Sequence, residues 1–179
     1  MHAWWTHLYF LQRISVLLQV AQWTWYYIIA GELLSDYTIY ANELPPSHHT
    51  KPKTEILKSL AFTYILDGQV SNATIFTDTL FFPITTTTNF HYWSLAPILN
   101  NGWALLGELN KIIPVSETHI NNILNVGMDY LVSITGVEGE KVSMTAYDTA
   151  SSQAAVYSCT ISPSGQNTLY LPGGPCVAA

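Results

Sequence analysis

FHYWSLAPILNNGWALLGELNKIIPVS, residues 90–116, is the stretch from which the predicted fold is worked out. Two short apolar runs in it flank an Asn-Asn-Gly turn at 100–102. Asn and Gly tolerate the positive φ angles of tight hairpin turns, so the pattern predicts a β-hairpin. Because Trp93 and Trp103 flank the turn, we expect this hairpin to carry the heaviest side chains of the core.

Downstream of this hairpin the apolar residues alternate with polar ones, which is the period of strands with one solvated face. In 141–146, Val142, Met144 and Ala146 share one face. The strand candidates with this pattern are 130–135, 141–146, 154–161 and 168–171. Short turns such as Gly136–Gly139 join them, so the sequence predicts an antiparallel meander within a β-sandwich.

Two further features of the sandwich follow from the same pattern. Pro114 interrupts the apolar segment 111–116, and this predicts an edge strand because proline cannot donate to a central ladder. The predicted core consists of apolar residues on the inward faces: Trp93, Leu95, Trp103, Leu105, Val132, Ile134, Val142 and Met144.

The N-terminal half is less regular. Residues 14–34 fit two interpretations: aromatic and β-branched residues favour strands, while apolar residues also recur at helical spacing. The first fifteen residues show no clear period. We therefore expect a mostly β protein with an irregular, aromatic-rich N-terminal extension at 1–15, an antiparallel β-sandwich domain at 16–171 and a C-terminal tail without regular structure at 172–179.

Charge limits the classes of partner. Only 10% of the residues are charged, against roughly 25% in average soluble domains. Such a chain needs a large core, a partner surface or a membrane. The net charge is −6, with six basic residues in all, so the sequence predicts no nucleic-acid partner, whose phosphates require clustered Lys and Arg.

Cysteine and asparagine leave two questions open. Cys159 and Cys176 either form a disulfide that ties the tail to a strand or remain separate thiols. Two cysteines at this spacing do not make a four-ligand zinc site. Asn72 begins the glycosylation sequon Asn-Ala-Thr, which matters only in a secreted protein.

Catalytic motifs are not recognisable in the sequence. It contains no phosphate-binding Gly-rich loop, no His-Glu-x-x-His and no nucleophile elbow. We therefore predict no catalytic, cofactor-binding or metal-binding residue. Glu108 is the carboxylate of most interest because it follows an apolar strand and Gly107, but such a residue is expected to be solvated.

Four pieces of the chain carry a resemblance to a known family. They are VLLQVAQWTW at 16–25, DYTIYANEL at 36–44, the stretch 90–116, and SITGVEGEKVSMTAYD at 133–148. In type and order they resemble the C-terminal region of the raffinose synthase and seed-imbibition-protein family of α-galactosidase-like glycoside hydrolases. The four threonines at 85–88 and the first fifteen residues depart from it.

This resemblance implies a non-catalytic C-terminal β-sandwich, or a truncated fragment, of an enzyme acting on α-galactosides. The family's catalytic aspartates belong to a (β/α) barrel that precedes this region. No part of this sequence matches that barrel, so no catalytic residue is transferred. The implied partners are this missing barrel and an oligosaccharide. The alternatives are a free-standing carbohydrate-binding or protein-interaction module, and a small membrane-associated protein with a helix at 14–34.

Aromatic residues crowd the N-terminal segment. They are Trp4, Trp5, Tyr9, Phe10, Trp23, Trp25, Tyr26 and Tyr27. A strand sends half of its side chains outward, so we expect part of this set to form an exposed apolar patch of the kind that marks interfaces.

Overall fold

The structure is a computed structural model that describes part of the chain. The backbone is described for residues 2–8, 11–20, 23–31, 37–39, 60–66, 69–70, 74–76, 82–84 and 90–179, and side chains for residues 20, 23–29 and 92–179. Every regular element in these ranges is a strand, and every strand pair whose register is described is antiparallel. The predicted fold class, mostly β with an antiparallel sandwich, is confirmed.

The chain divides into two compact units. Unit 1 comprises Met1–Gln19 and Thr24–Pro97, and unit 2 comprises Val20–Trp23 and Ile98–Ala179. The predicted domain boundaries, at 15/16 and 171/172, stay predictions.

Unit 1 is built on the first nine strands. They are β1 His2–Leu8, β2 Leu11–Val20, β3 Trp23–Gly31, β4 Tyr37–Ile39, β5 Leu60–Leu66, β6 Gln69–Val70, β7 Thr74–Phe76, β8 Phe82–Ile84 and β9 Phe90–Pro97. Seven of them form one sheet in the order β1-β2-β3-β9-β5-β6, with β7 paired to β5. Strands β4 and β8 form a separate pair.

Two expectations for the N-terminal region are wrong. The segment 1–15, expected to be irregular, contains β1 and the start of β2, which pair from His2↔Leu17 to Leu8↔Leu11. A segment rich in aromatic and β-branched residues can pair as strands even where its sequence shows no alternation of apolar and polar residues. The helical interpretation of 14–34 fails because β2 and β3 occupy that region. Within the described residues, no helix has the length and apolar character needed to cross a membrane.

Burial in unit 1 is continuous along the strands rather than alternating. Five consecutive residues of β3, from Thr24 to Ile28, are buried, and so are six of β9, from Tyr92 to Pro97. Such strands are covered on both faces. Trp25, Tyr26 and Tyr27 are therefore not part of an exposed patch, and Trp23 is half-buried. The other expected patch residues, at 4, 5, 9 and 10, lie outside the described side chains.

Unit 2 contains the remaining seven strands in two sheets. They are β10 Trp103–Gly107, β11 Ile120–Val126, β12 Asp129–Thr135, β13 Lys141–Asp148, β14 Gln153–Thr160, β15 Gln166–Leu171 and β16 Cys176–Ala178. One sheet has the order β10-β13-β14 and the other the order β11-β12-β15-β16. The four downstream strand predictions are confirmed as β12, β13, β14 and β15.

The connections between these strands correct the predicted meander. The chain leaves the four-stranded sheet after β12, forms β13 and β14 in the three-stranded sheet, and returns in β15. The turn at 136–140 is thus a crossover between sheets. It lies beside the return crossover, because the Gly136 N–H donates to the Gly165 carbonyl at 3.1 Å and the Gly139 N–H to the Ile161 carbonyl at 2.9 Å.

The Asn-Asn-Gly turn is confirmed, but the hairpin around it is minimal. The Gly102 N–H donates to the Leu99 carbonyl at 2.9 Å, and Gly102 has a φ of 85°. Beyond the single bridge Ile98↔Ala104 the two strands separate, because β9 pairs with β3 and β5 while β10 pairs with β13.

Most of the predicted core is confirmed. The buried members are Trp93, Leu95, Leu105, Val132, Ile134, Val142 and Met144. Trp103 is only half-buried, at the start of β10. The predicted edge strand at 111–116 is wrong: after Gly107, whose φ is 82°, the chain bends into a loop instead of continuing as a strand.

The cysteines form a disulfide, Cys159–Cys176, with a Cα–Cα distance of 5.4 Å. It joins β14 in the three-stranded sheet to β16 in the four-stranded sheet, and so ties the two layers of the sandwich together. The tail at 172–179 was expected to lack regular structure. It contains β16, which pairs with β15 through Asn167↔Ala178 and two further pairs.

Candidate functional site

Glu108 is buried, contrary to the expectation that it is solvated. Its side chain is 5% exposed, because the loop that follows β10 folds back over it. Gly107 permits this close approach: a Cβ there would lie 2.3 Å from the carbonyl oxygen of Pro114. The Glu108 N–H donates to the same carbonyl at 2.8 Å.

Two titratable side chains contact Glu108, and a third contacts one of these two. Its Oε2 lies 2.6 Å from His119 Nδ1 and 2.8 Å from Lys111 Nζ. His119 Nε2 lies 3.2 Å from Glu140 Oε1 on the other side of the ring. We call Glu108, Lys111, His119 and Glu140 the Glu108 cluster.

Hydrogen-bond geometry constrains the protons of the Glu108 cluster. At 2.6 Å, the contact between Glu108 Oε2 and His119 Nδ1 requires a proton between the two atoms, since two lone pairs would repel. His119 Nε2 faces Glu140 Oε1 on the opposite side of the ring. Lys111 Nζ, which only donates, lies 2.8 Å from Glu108 Oε2 and 3.0 Å from His119 Nδ1. Lys111 therefore supplies the counter-charge of the buried carboxyl group.

Glu140 is held in its ionised form. The pKa of Glu140 is lowered, first by the hydrogen bond that the Val137 N–H donates to Oε2 at 3.0 Å, and then by the charges of His119 and Lys111. Because the pKa of Glu140 is lower in the folded chain than its ordinary value, ionised Glu140 stabilises the fold at every pH above that ordinary value. The stabilisation is lost as the pH falls through the pKa of the folded state.

The arrangement of the Glu108 cluster suits a structural role better than a catalytic one. Glu108 and His119 are both nearly inaccessible, and the imidazole separates the two carboxyl groups instead of leaving an open gap between them. Within the described residues, no group of three metal-ligating side chains converges on one point. The cluster fastens the loop 108–119 to the crossover at Glu140.

A polar cavity lies against the four-stranded sheet of unit 2. Its volume is about 400 Å³, and its lining is made of Asn121, Asn122, Ser133, Ile134, Thr135, Gln166, Asn167 and Ala179. No charged side chain lines it. The ladder between β11 and β12 shifts register between Ile120 and Asn122, and a bulge of this kind redirects side chains locally. We call this feature the polar cavity.

The outward face of the same sheet continues into an apolar row. Asn122 pairs with Ser133, which pairs with Thr168; two residues along, Leu124 pairs with Leu131, which pairs with Tyr170. Leu124 is 49% exposed and Tyr170 is 38% exposed. We call Leu124, Leu131 and Tyr170 the apolar row. Residues two apart on a strand share a face, so the apolar row borders the polar cavity.

Comparison with known proteins adds no assignment: no family model matches the chain, and no curated protein matches it. Asn72, the acceptor of the sequon, lies outside the described residues. The predicted absence of catalytic, cofactor and metal residues therefore stays a prediction.

The sequence alone did not identify the partners of Glu108. Lys111 and His119 lie three and eleven residues beyond it in an irregular loop, where no periodicity relates them. The available signal was compositional: a lysine and a histidine close to a carboxylate are unusual in a chain with only 10% charged residues.

Proposed function

We propose that this chain is a non-catalytic β-sandwich module of an α-galactosidase-like or raffinose-synthase-like glycoside hydrolase. The sandwich architecture of unit 2 supports the proposal, since the resemblance of the sequence pieces implies such a module. The partner in this proposal is a catalytic (β/α) barrel that supplies the reacting carboxylates.

The state of Glu108 is the observation that carries the proposal. Glycoside hydrolysis uses two carboxyl groups that face each other across the sugar, about 5–9.5 Å apart. Glu108, the carboxylate that the sequence singles out, is instead buried, with His119 Nδ1 at 2.6 Å and Lys111 Nζ at 2.8 Å from its Oε2. It cannot approach a glycosidic bond without dismantling the loop that covers it.

Hydrolysis of a chromogenic α-galactoside by the purified chain tests this proposal. We expect no turnover above the buffer rate, because the sequence shows no catalytic motif and Glu108, the carboxylate that it singles out, is buried. Turnover that survives further purification, and is lost in a folded Glu140→Gln variant but kept in Glu138→Gln, would contradict the proposal. Glu138 is the matched control because it is an exposed carboxylate outside the Glu108 cluster.

A free-standing carbohydrate-binding module is the second candidate function. The observation that favours it is the polar cavity, whose amide and hydroxyl lining suits a hydroxylated ligand. The protein-interaction alternative would use the exposed apolar side chains at the β11–β12 turn, of which Met128 is 77% exposed. The membrane alternative required a helix at 14–34, and strands β2 and β3 lie there instead.

A further inference from the structure

We propose that the polar cavity of unit 2 binds a neutral saccharide whose chain extends over the apolar row. This inference rests on the carbohydrate-binding form of the proposed function and assigns it a site and a ligand class. It does not depend on the presence of a catalytic barrel.

Free hydrogen-bonding groups are the first support. Within the part of the chain that the structure describes, the side chains of Asn122, Ser133 and Gln166 make no hydrogen bond to the protein. Each amide offers two N–H donors and a carbonyl acceptor, and the serine hydroxyl does both. Neighbouring sugar hydroxyls also donate and accept, so one ring can satisfy several of these groups at once.

Rigid placement is the second support. Ser133 and Asn122 are half-buried and face each other across the β11–β12 ladder. Gln166 is held opposite Thr135 on β15. Because the three residues lie on paired strands, the spacing of their Cα atoms is fixed before a ligand arrives, which lowers the cost of binding.

The absence of charged side chains from the lining favours a neutral ligand. A charged ligand would lose hydration on entering the cavity without gaining an ion pair with a side chain, and that loss is costly. A neutral saccharide avoids it. The volume of about 400 Å³ falls within the roughly 300–1,000 Å³ usual for small-molecule sites.

The apolar row supplies a second kind of contact. Leu131 and Tyr170 lie two residues along their strands from Ser133 and Thr168, a distance of about 7 Å. A sugar unit beyond the cavity would therefore place its apolar C–H face over Tyr170. Gly174 leaves room for this tyrosine, because a Cβ there would lie 2.2 Å from the Tyr170 Cβ.

Calorimetric titration of the full chain tests the inference with three probes: raffinose and maltotriose, which are neutral, and trigalacturonate, which is anionic. We expect at least one neutral trisaccharide to bind and trigalacturonate to bind more weakly. Asn122→Ala and Gln166→Ala should each weaken binding at least tenfold, and Tyr170→Ala several-fold.

Matched control variants come from the same unit. Asn125→Ala and Gln153→Ala remove exposed side chains of the same types that do not line the polar cavity, and they should leave affinity unchanged. Gln166 is exposed, so its variant keeps the fold, and an unchanged thermal midpoint verifies this.

Three results would overturn the inference, and they are distinguishable. Failure of the wild-type chain to bind either neutral trisaccharide would remove both the inference and the carbohydrate-binding function. Binding that Asn122→Ala and Gln166→Ala leave intact would refute the site but keep that function. Preferential binding of trigalacturonate would refute the neutral ligand class.

Discussion

Strands β9 and β12 show how differently the two units bury their side chains. In β9 every residue from Tyr92 to Pro97 is buried, whereas in β12 Tyr130, Val132 and Ile134 are buried and the residues between them are partly exposed. In the sequence, a strand with one solvated face shows alternating apolar and polar residues, while a strand covered on both faces shows a continuous apolar run. The second type is therefore harder to place from sequence.

Buried polar groups extend the contrast. In unit 1 the hydroxyls of Thr24 and Ser94 are buried without a hydrogen-bond partner within the described residues. In the 98–179 part of unit 2, Ser162 Oγ donates to the Gln166 carbonyl at 2.7 Å, Asn167 Nδ2 donates to the Thr160 carbonyl at 3.1 Å, and Glu108 is ion-paired. Trp23 Nε1, in the short N-terminal segment of unit 2, is buried without a partner like the two hydroxyls of unit 1. Removing a buried polar group should therefore have opposite effects at Ser94 and at Glu108.

The largest expected effect is that of Glu108→Ala in unit 2. The change leaves His119 buried and without its carboxylate, so we expect the free energy of unfolding to fall by about 3–5 kcal/mol. Hydrogen exchange of the amides in β10–β16 measures it. The control Glu138→Ala removes an exposed carboxylate and should change stability by less than about 0.5 kcal/mol. Equal effects of the two changes would show that the Glu108 cluster does not hold the loop.

Removal of the disulfide comes next. Replacing Cys159 and Cys176 together by alanine opens a loop with a sequence separation of 17 residues, and we expect a loss of about 3 kcal/mol. Urea unfolding of the wild-type chain under oxidising and reducing conditions gives the same comparison without a mutation. If neither treatment lowers the midpoint, the link between the two sheets contributes nothing to stability.

The smallest effect, of opposite sign, is expected in unit 1. Ser94→Ala removes a fully buried hydroxyl that has no partner among the described side chains, so the free energy of unfolding should rise by about 1 kcal/mol. The matched change Ser158→Ala at an exposed position should be nearly neutral. Destabilisation by Ser94→Ala would mean that the hydroxyl is satisfied after all, and the contrast between the units would disappear.

Features that a local pattern determines can be predicted from the sequence. Val142 and Met144 were placed correctly because alternation relates neighbours on one strand. Features that depend on residues distant in sequence, such as the sheet that a strand joins, cannot be predicted in this way. The sheet to which β13 belongs depends on its pairing with β10, through Trp103↔Asp148, and no turn motif encodes that choice.

The candidate site was less predictable than the fold. The burial of Glu108 depends on how an irregular loop folds back through Gly107 and Pro114. The polar cavity depends on a register shift at Asn121, and no residue type in the sequence predicts that shift. The cysteine pairing was one of two open possibilities, because nothing in the sequence shows that β14 and β16 meet.

The alternation of the chain between sheets in unit 2 has a consequence for the order of folding. Strands β11 and β12 are joined by the short turn around Gly127, and β13 and β14 by another; such hairpins form in about 1–10 μs. The pairings of β10 with β13 and of β12 with β15 close longer loops and are slower. We therefore expect Cys176 to reach Cys159 only once both sheets have assembled, so that oxidation locks a finished sandwich and does not guide its formation.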